Sequence, residues 1–228
     1  NWYFTTDEDF KILHLTDIHM TGGPIYFEND KKAINAVAAM INAEDPDLVI
    51  ATGDISFAYI TDLNYNNKRV HELFIRLMDN LDVYWTVTFG NHDTEPYNNY
   101  NREEVEALYA QTESEKCLFT PSPEGVSGRG NHVINIKNTS GEITQSLFML
   151  DSHSYVRQDL IGGIIDSVVW NYDNIKQDQV DWYEQMMELY SPKSSLMFFH
   201  IPLGEVKEGY YRYLDNGREL GNEVNSFT

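Results

Sequence analysis

The period of the apolar positions changes several times along this chain, and each change marks an element. Phe10 to Leu15 is a short β-rich run bounded by Asp9 and Thr16; Asn29 to Ala43 then carries Ala33, Ile34, Val37, Ala38 and Ile41 at helical spacing. Asp45-Pro46-Asp47 ends that helix ahead of a second apolar run, Leu48 to Ala51. Val70, Leu73, Phe74, Leu77, Met78 and Leu81 form another helical face, and Val83 to Phe89 follows as a third strand. Strand and helix alternating at this spacing predict a parallel sheet with right-handed crossovers. A third helix is expected around Val105, Leu108 and Tyr109, with Glu103 and Glu104 near its start, where the helix dipole favours acids.

Beyond the Pro-, Gly- and Ser-rich loop Pro121 to Gly130 the pattern changes. His132 to Lys137, a turn over Asn138 to Glu142, and Thr144 to Leu150 read as an antiparallel hairpin that starts a second sheet. Asp151 to Asn174 is irregular and aromatic, the length of a functional loop. Gln177 to Tyr190 places Val180, Tyr183, Met187 and Tyr190 on one helical face and leads to a last strand, Ser195 to Phe199. No element is predicted from Leu203 onward. With no internal shift in composition, residues 1–228 read as one domain.

Charge narrows the partners. Sixteen basic against 36 acidic residues give a net charge of −20. Such a surface disfavours a nucleic-acid backbone and anionic membranes alike. No apolar stretch approaches the ~20 residues that span a bilayer. The single cysteine, Cys117, excludes an internal disulfide framework and reads as a small apolar residue. Asn138-Thr139-Ser140 matches a glycosylation sequon and tilts the expected compartment toward the secreted or extracytoplasmic side.

Four short polar motifs stand where apolar strands should end: Asp17-Ile18-His19, Gly53-Asp54, Gly90-Asn91-His92-Asp93 and His200-Ile201-Pro202. Asp17 and Asp54, and Asp54 and Asn91, are each 37 residues apart, one β-α unit. In an open α/β sheet the strand carboxyl ends meet in one crevice. Carboxylate, imidazole and amide oxygen converging there suit a transition-metal site. Asp17 and His19, at i and i+2, point the same way while the chain stays extended. Gly53 permits a tight turn before Asp54, although a strand-end Asp is also often a helix cap. His14, His71 and His132 fall outside the motifs and read as structural, packed or solvated. Asp151 and His153 are candidates for shaping the pocket from behind the ligands.

In this order the motifs resemble those of the calcineurin-like metallophosphoesterase superfamily; Leu150-Asp151-Ser152-His153 and His200-Ile201-Pro202-Leu203 make the chain more similar to the branch related to purple acid phosphatases. The resemblance runs from about Phe10 to Leu203. It implies an α/β fold, a four-layer α/β/β/α sandwich, with two divalent or mixed-valence transition-metal ions (Fe, Mn or Zn) at the strand ends. By the same resemblance Asp17 and His19 bind one metal, Asp54 bridges, and Asn91 and His200 bind the other. His92 would be the catalytic acid or phosphate contact. The implied activity is hydrolysis of a phosphoester, most of all a phosphomonoester, in a small molecule or a phosphoprotein. The alternatives are a phosphodiesterase, or a catalytically impaired protein of this fold that acts by binding. No tyrosine matches the ligand that colours the purple members, so no purple absorption band is expected.

The family pattern continues with a Gly-His-x-His motif that has no counterpart here, His200 being the last histidine. After it only oxygen donors remain, among them Glu205, Glu208, Asp215, Glu219 and Glu223. Three readings stand: a chain incomplete at its C-terminus, which is preferred; a metal site with fewer protein ligands and more water; or a scaffold without catalysis. An incomplete chain predicts an exposed apolar edge or face.

Overall fold

Strand β3 (Leu48–Thr52) is buried over its whole length, because it is covered on both faces. Such a strand reads as an unbroken apolar run rather than an alternation. It is the centre of a parallel sheet, order β2-β3-β4, flanked by β2 (Ile12–Leu15) and β4 (Trp85–Thr88). The structure, a computed structural model, describes residues 2–57, 65–95, 98–155 and 172–216. A second sheet, order β1-β5-β6-β7, contains β1 (Trp2–Thr5), β5 (His132–Lys137), β6 (Ile143–Met149) and β7 (Ser194–Phe198). Here β5 and β6 form the expected antiparallel hairpin, while β1 and β7 add in parallel at its two sides.

Helices α1 (Phe27–Glu44) and α2 (Asn67–Leu81) link the three parallel strands. Their starts and stops follow local chemistry. Asn66 caps α2 by accepting from Arg69 N–H, and helix α3 (Arg102–Ala110) opens with a reciprocal Asn101–Glu104 capping box. Asp45 and Asp82 end α1 and α2 in left-handed conformation, a role more often filled by glycine.

Three apolar clusters separate four layers. Val49 and Ala51 of β3 face α1 and α2 with Val37, Ile41, Phe74 and Met78. Leu48 and Ile50 face the other way, onto Ile134, Ile136, Leu147 and Met149 of the second sheet. Val133 and Phe148, one residue out of phase with those, turn outward to Trp182 and Tyr183 of α4 (Gln177–Tyr190). The alternation is the period of two that a strand imposes. The result is the α/β/β/α sandwich.

Several boundaries differ from the sequence-based expectation. Strands predicted to begin at Phe10 and Val83 pair only from Ile12 and Trp85. The sequence pattern predicts neither β1 nor α5 (Gly204–Asn216), which occupies the segment after Leu203. Glu205 lies on α5 and is exposed, as is Glu208. The side chain of Asp215, together with Glu219 and Glu223, lies outside the described residues, as do positions 156–171 of the predicted functional loop. An exposed apolar edge is present at β7, where Leu196 and Met197 are 50% and 41% exposed. Among the described residues no helix is long and apolar enough to cross a membrane.

His132, the first residue of β5, is a joint between the sheets. Its Nδ1–H donates to the Gly130 carbonyl at 2.7 Å, so its Nε2 accepts from Thr86 Oγ1 of β4, also at 2.7 Å. Burial lowers its pKa to about 4. The unfolded chain therefore takes up this proton near 6.5 and the folded chain only near 4. The stability that neutral His132 supplies is fully present above pH 6.5 and is lost as pH falls to about 4, in total about 3 kcal/mol. His132→Gln is expected to flatten the stability–pH curve between those values. Urea midpoints of both proteins at pH 7 and pH 4.5 check this; equal slopes would remove the assignment.

Candidate metal centre

The loops leaving β2 and β3 continue the parallel ladder beyond the strands. Asp17 N–H donates to Gly53 O, His19 N–H to Asp54 O and Met20 N–H to Ile55 O, at 3.2, 2.9 and 2.9 Å. The ladder is not extended backbone, however: Asp17, His19 and Asp54 have φ of 54°, 54° and 50°. The expectation that Asp17 and His19 converge because the chain stays extended is thereby corrected. Strand β2 ends at Leu15, and two left-handed residues turn both side chains to one point. Non-glycine residues in this region carry strain that persists only where the surroundings impose it.

Asp93 imposes much of it. Its fully buried carboxylate accepts Asp54 N–H, Gly90 N–H and Ser56 N–H at 2.9, 2.8 and 3.0 Å, joining the loops after β3 and β4. The close approach explains the glycines. A Cβ on Gly53 would lie 2.2 Å from Gly90 N, and one on Gly90 would lie 2.1 Å from Asp54 Oδ1. The buried His71 stands behind, with Nδ1 2.7 Å from the Tyr109 hydroxyl and Nε2 3.9 Å from Asp93 Oδ1. His71 is packed, and burial lowers its pKa.

All six residues singled out by their strand-end placement meet here. Asp17, His19 and Asp54 offer three ligand atoms within 4.8 Å of one another. Asp54 Oδ2 lies 3.4 Å from His19 Nε2 and 3.3 Å from His200 Nε2. His200 Nε2 is also 3.1 Å from Asn91 Oδ1. His92 Nε2 is 4.0 Å from Asp54 Oδ2, while its backbone N–H donates to Asp54 Oδ1 at 2.8 Å. Phe57 stacks on the His19 ring at 4.9 Å and meets His92 edge-on at 4.5 Å, walling the site with carbon and no oxygen.

The donor chemistry fits a cation. His200 Nδ1 donates to Thr52 O at 2.8 Å, so in the neutral ring Nε2 carries a lone pair. That lone pair faces Asn91 Oδ1 and Asp54 Oδ2, which are acceptors too. Three electron pairs aimed at one another are stable only around a proton or a metal ion. The protonation tendencies report the same conflict. Burial alone would lower the pKa of His200, but the Asp54 carboxylate and the Thr52 carbonyl raise it. Burial would raise that of Asp54, but hydrogen bonds from His19 and His200 hold it well below the carboxylate range. His92 is raised against partial burial by Glu95 and Asp54.

Behind these residues stand groups that no motif signalled. Glu95 accepts His92 Nδ1–H at 2.8 Å, and Tyr155 bridges Glu95 to Asn91. Arg102 pairs with the buried Asp151 at 2.5 Å and donates to Gly90 O at 2.6 Å. Asp151 is thus tied through Arg102 to the loop that carries Asn91. His153 turns away, its Nε2 3.1 Å from Gln179 Oε1. The one available signal was spacing: Glu95 lies three residues after His92, within reach of a single turn.

A two-sheet α/β sandwich carrying a mixed carboxylate, imidazole and amide cluster at its strand ends is a metal-site architecture of the phosphoesterase type. The chain belongs to the calcineurin-like phosphoesterase family, whose sequence model matches residues 10–221. Its curated relatives include proteins named as purple acid phosphatases. It is 26% identical to "Probable inactive purple acid phosphatase 29" of Arabidopsis thaliana, over 89% of this chain and 56% of that protein. It is also 26% identical to "Phosphatase DCR2" of Saccharomyces cerevisiae, over 88% of this chain and 36% of that one. The chain therefore spans about half the length, or less, of these curated relatives. The fold is shared with a dimetal phosphatase from Danio rerio, at a TM-score of 0.57 and 12% identity, covering 87% of this chain and 72% of that one.

Proposed function

We propose that this chain carries the phosphate-handling site of a metal-dependent phosphomonoesterase. Asp17 and His19 would hold one divalent or mixed-valence ion, Asn91 and His200 a second, with Asp54 shared; Fe, Mn and Zn all suit these ligands. The observation that carries the reading is the single oxygen Asp54 Oδ2, which faces His19 Nε2 on one side and His200 Nε2 on the other. Two such ions would supply acidification of a water near neutral pH and neutralisation of the phosphate oxygens. They also offset the net charge of −20 for an incoming anion.

The chain's own residues supply the rest. His92 presents Nε2 to the site from a ring whose other nitrogen is held by Glu95. The two carboxylates beside it favour its protonated form, so it is placed to give a proton to a departing alkoxide. Phosphodiesters are the next candidate substrates, and an anionic phosphoester of a small molecule or a phosphoprotein is the expected partner class.

A second reading, a phosphate-binding protein with impaired catalysis, is favoured by one observation: a relative is named "Probable inactive". Metal analysis together with hydrolysis of nitrophenyl phosphate and its bis-ester, with and without Mn²⁺, separates the two. Two equivalents of metal with turnover of the monoester support the enzyme; two equivalents without turnover support the binder. Within the enzyme reading, His92→Ala is expected to slow hydrolysis of an alkyl phosphate about 10²–10⁴-fold. Nitrophenyl phosphate, whose leaving group needs no proton, should slow far less. An unchanged alkyl rate would dismiss the acid role.

A further inference from the structure

One carboxylate oxygen, Glu95 Oε1, accepts from two directions. It takes His92 Nδ1–H at 2.8 Å and the Tyr155 hydroxyl at 3.2 Å. The same hydroxyl oxygen accepts Asn91 Nδ2–H at 2.7 Å. Glu95 is 3% exposed, and its other oxygen, Oε2, is buried with no hydrogen-bond partner among the described residues. A buried, half-satisfied carboxylate is a poor choice for loop anchoring alone, since it costs more than a neutral side chain that fills the same space. Its geometry has a directional consequence instead. Asn91 Nδ2 is drawn to Tyr155, so Oδ1 is turned to His200 Nε2, 3.1 Å away. His92 Nδ1 is drawn to Glu95, so Nε2 is turned to Asp54 Oδ2, 4.0 Å away.

We propose that Glu95 and Tyr155 form a clamp of two positioning residues that orients the amide of Asn91 and the ring of His92 together. Neither residue touches substrate. Tyr155 acts through Asn91, making its oxygen rather than its nitrogen face the cation side. Glu95 acts through His92, holding the ring so that Nε2 points into the site. A carboxylate behind a histidine fixes both its ring orientation and which nitrogen bears the proton, as it does for histidines that bind metals. The proposal rests on the phosphoester-hydrolase reading for its catalytic consequence, but its geometry stands apart from any turnover.

Two variants separate the two arms. Tyr155→Phe removes the hydroxyl and leaves Glu95 on His92. The second equivalent of Mn²⁺ should then bind about 10–100-fold more weakly, the usual effect of losing an outer partner of a ligand. The ratio of alkyl phosphate to nitrophenyl phosphate turnover should not move. Glu95→Ala removes the acceptor that holds the His92 ring. It should leave metal stoichiometry at the wild-type value and lower alkyl phosphate turnover about 10²-fold. Nitrophenyl phosphate should stay within about 3-fold, because the assistance lost is proton donation.

Loss of both substrates in parallel in Glu95→Ala, or unchanged Mn²⁺ affinity in Tyr155→Phe, overturns the clamp. Nuclear magnetic resonance of the metal-free full chain tests it without turnover. The His92 Nδ1 proton should be protected from exchange in wild type and in Glu95→Gln, and lost in Glu95→Ala. The side-chain amide of Asn91 should exchange faster in Tyr155→Phe than in wild type. If wild type hydrolyses neither ester while these signatures hold, the hydrolase reading fails and the clamp stands. If the esters are hydrolysed and the signatures are absent, the clamp fails alone.

Discussion

Asp54→Asn is expected to empty both halves of the site with a single atom exchanged. The direction of the new amide is not free. Asp54 Oδ1 accepts the His92 backbone N–H at 2.8 Å, so the amide must keep its oxygen there. Its NH₂ then takes the place of Oδ2, the atom that faces both His19 Nε2 and His200 Nε2. A donor stands where the shared ligand should be, and its negative charge is gone as well. Metal content should fall from two equivalents to below one, and turnover by at least about 10³-fold, equivalent to about 4 kcal/mol. Stability gives an independent readout. An ion at a thousand times its dissociation constant stabilises the folded state by about 4 kcal/mol. Chelation should therefore lower the melting temperature of wild type and leave that of Asp54→Asn unmoved. A variant that retains two equivalents of metal, or responds to chelator as wild type does, would show that Asp54 is not shared.

Much of this site is legible in the sequence, for a definite physical reason. A parallel strand covered on both faces must be apolar throughout, so Leu48 to Thr52 shows where the strand ends, and Gly53-Asp54 stands out against it. The same contrast exposes Asn91 after the buried β4, whereas His200 is marked only by the apolar run Leu196 to Phe199 before it, in a strand that is exposed on one side. What could not be read depends on partners far along the chain. Strand β1 is only four residues, β-prone in composition but too short to mark a strand by itself, and it is fixed by the pairing of Trp2 to Thr5 with Ile134 to Lys137. The left-handed turns at Asp17 and His19 follow from their ladder to the loop after β3, not from local preference. Tyr155 gives no pattern at all, since a tyrosine in an irregular aromatic stretch is chemically unremarked until Glu95 and Asn91 are seen beside it. Arg102 was legible only as part of the α3 segment. Its function lies in two bonds that leave the helix.

Those two bonds make Arg102 a residue whose loss should strongly disturb the folded chain. Asp151 is fully buried, and the Arg102 side chain, 17% exposed, brings its Nη1 to 2.5 Å from Asp151 Oδ1. Asp151 also accepts the backbone N–H groups of Arg129 and His153 at 2.8 and 2.9 Å, so it cannot leave without orphaning both. Arg102→Met keeps an apolar stem against the Phe89 ring, over which the guanidinium now sits at 5.4 Å, but strands the carboxylate charge in the interior. Breaking one side of a buried pair costs about 3–5 kcal/mol, because the remaining charge has lost its compensation. Arg102→Met with Asp151→Asn removes that charge but keeps one oxygen for two backbone N–H donors, so it should recover part of the loss and not all of it. Urea unfolding of the two single variants and the double variant isolates the coupling between them. The metal site should respond too. Arg102 Nη2 holds the Gly90 carbonyl at 2.6 Å, one residue before Asn91. With that restraint removed, the loop that carries Asn91 and His92 is free to shift, and affinity for the second metal equivalent should fall about 10–100-fold in both Arg102 variants. Restoring the charge balance through Asp151→Asn should rescue part of the stability without rescuing metal affinity. If the two recover together, Arg102 acts only through the ion pair, and its bond to Gly90 positions nothing.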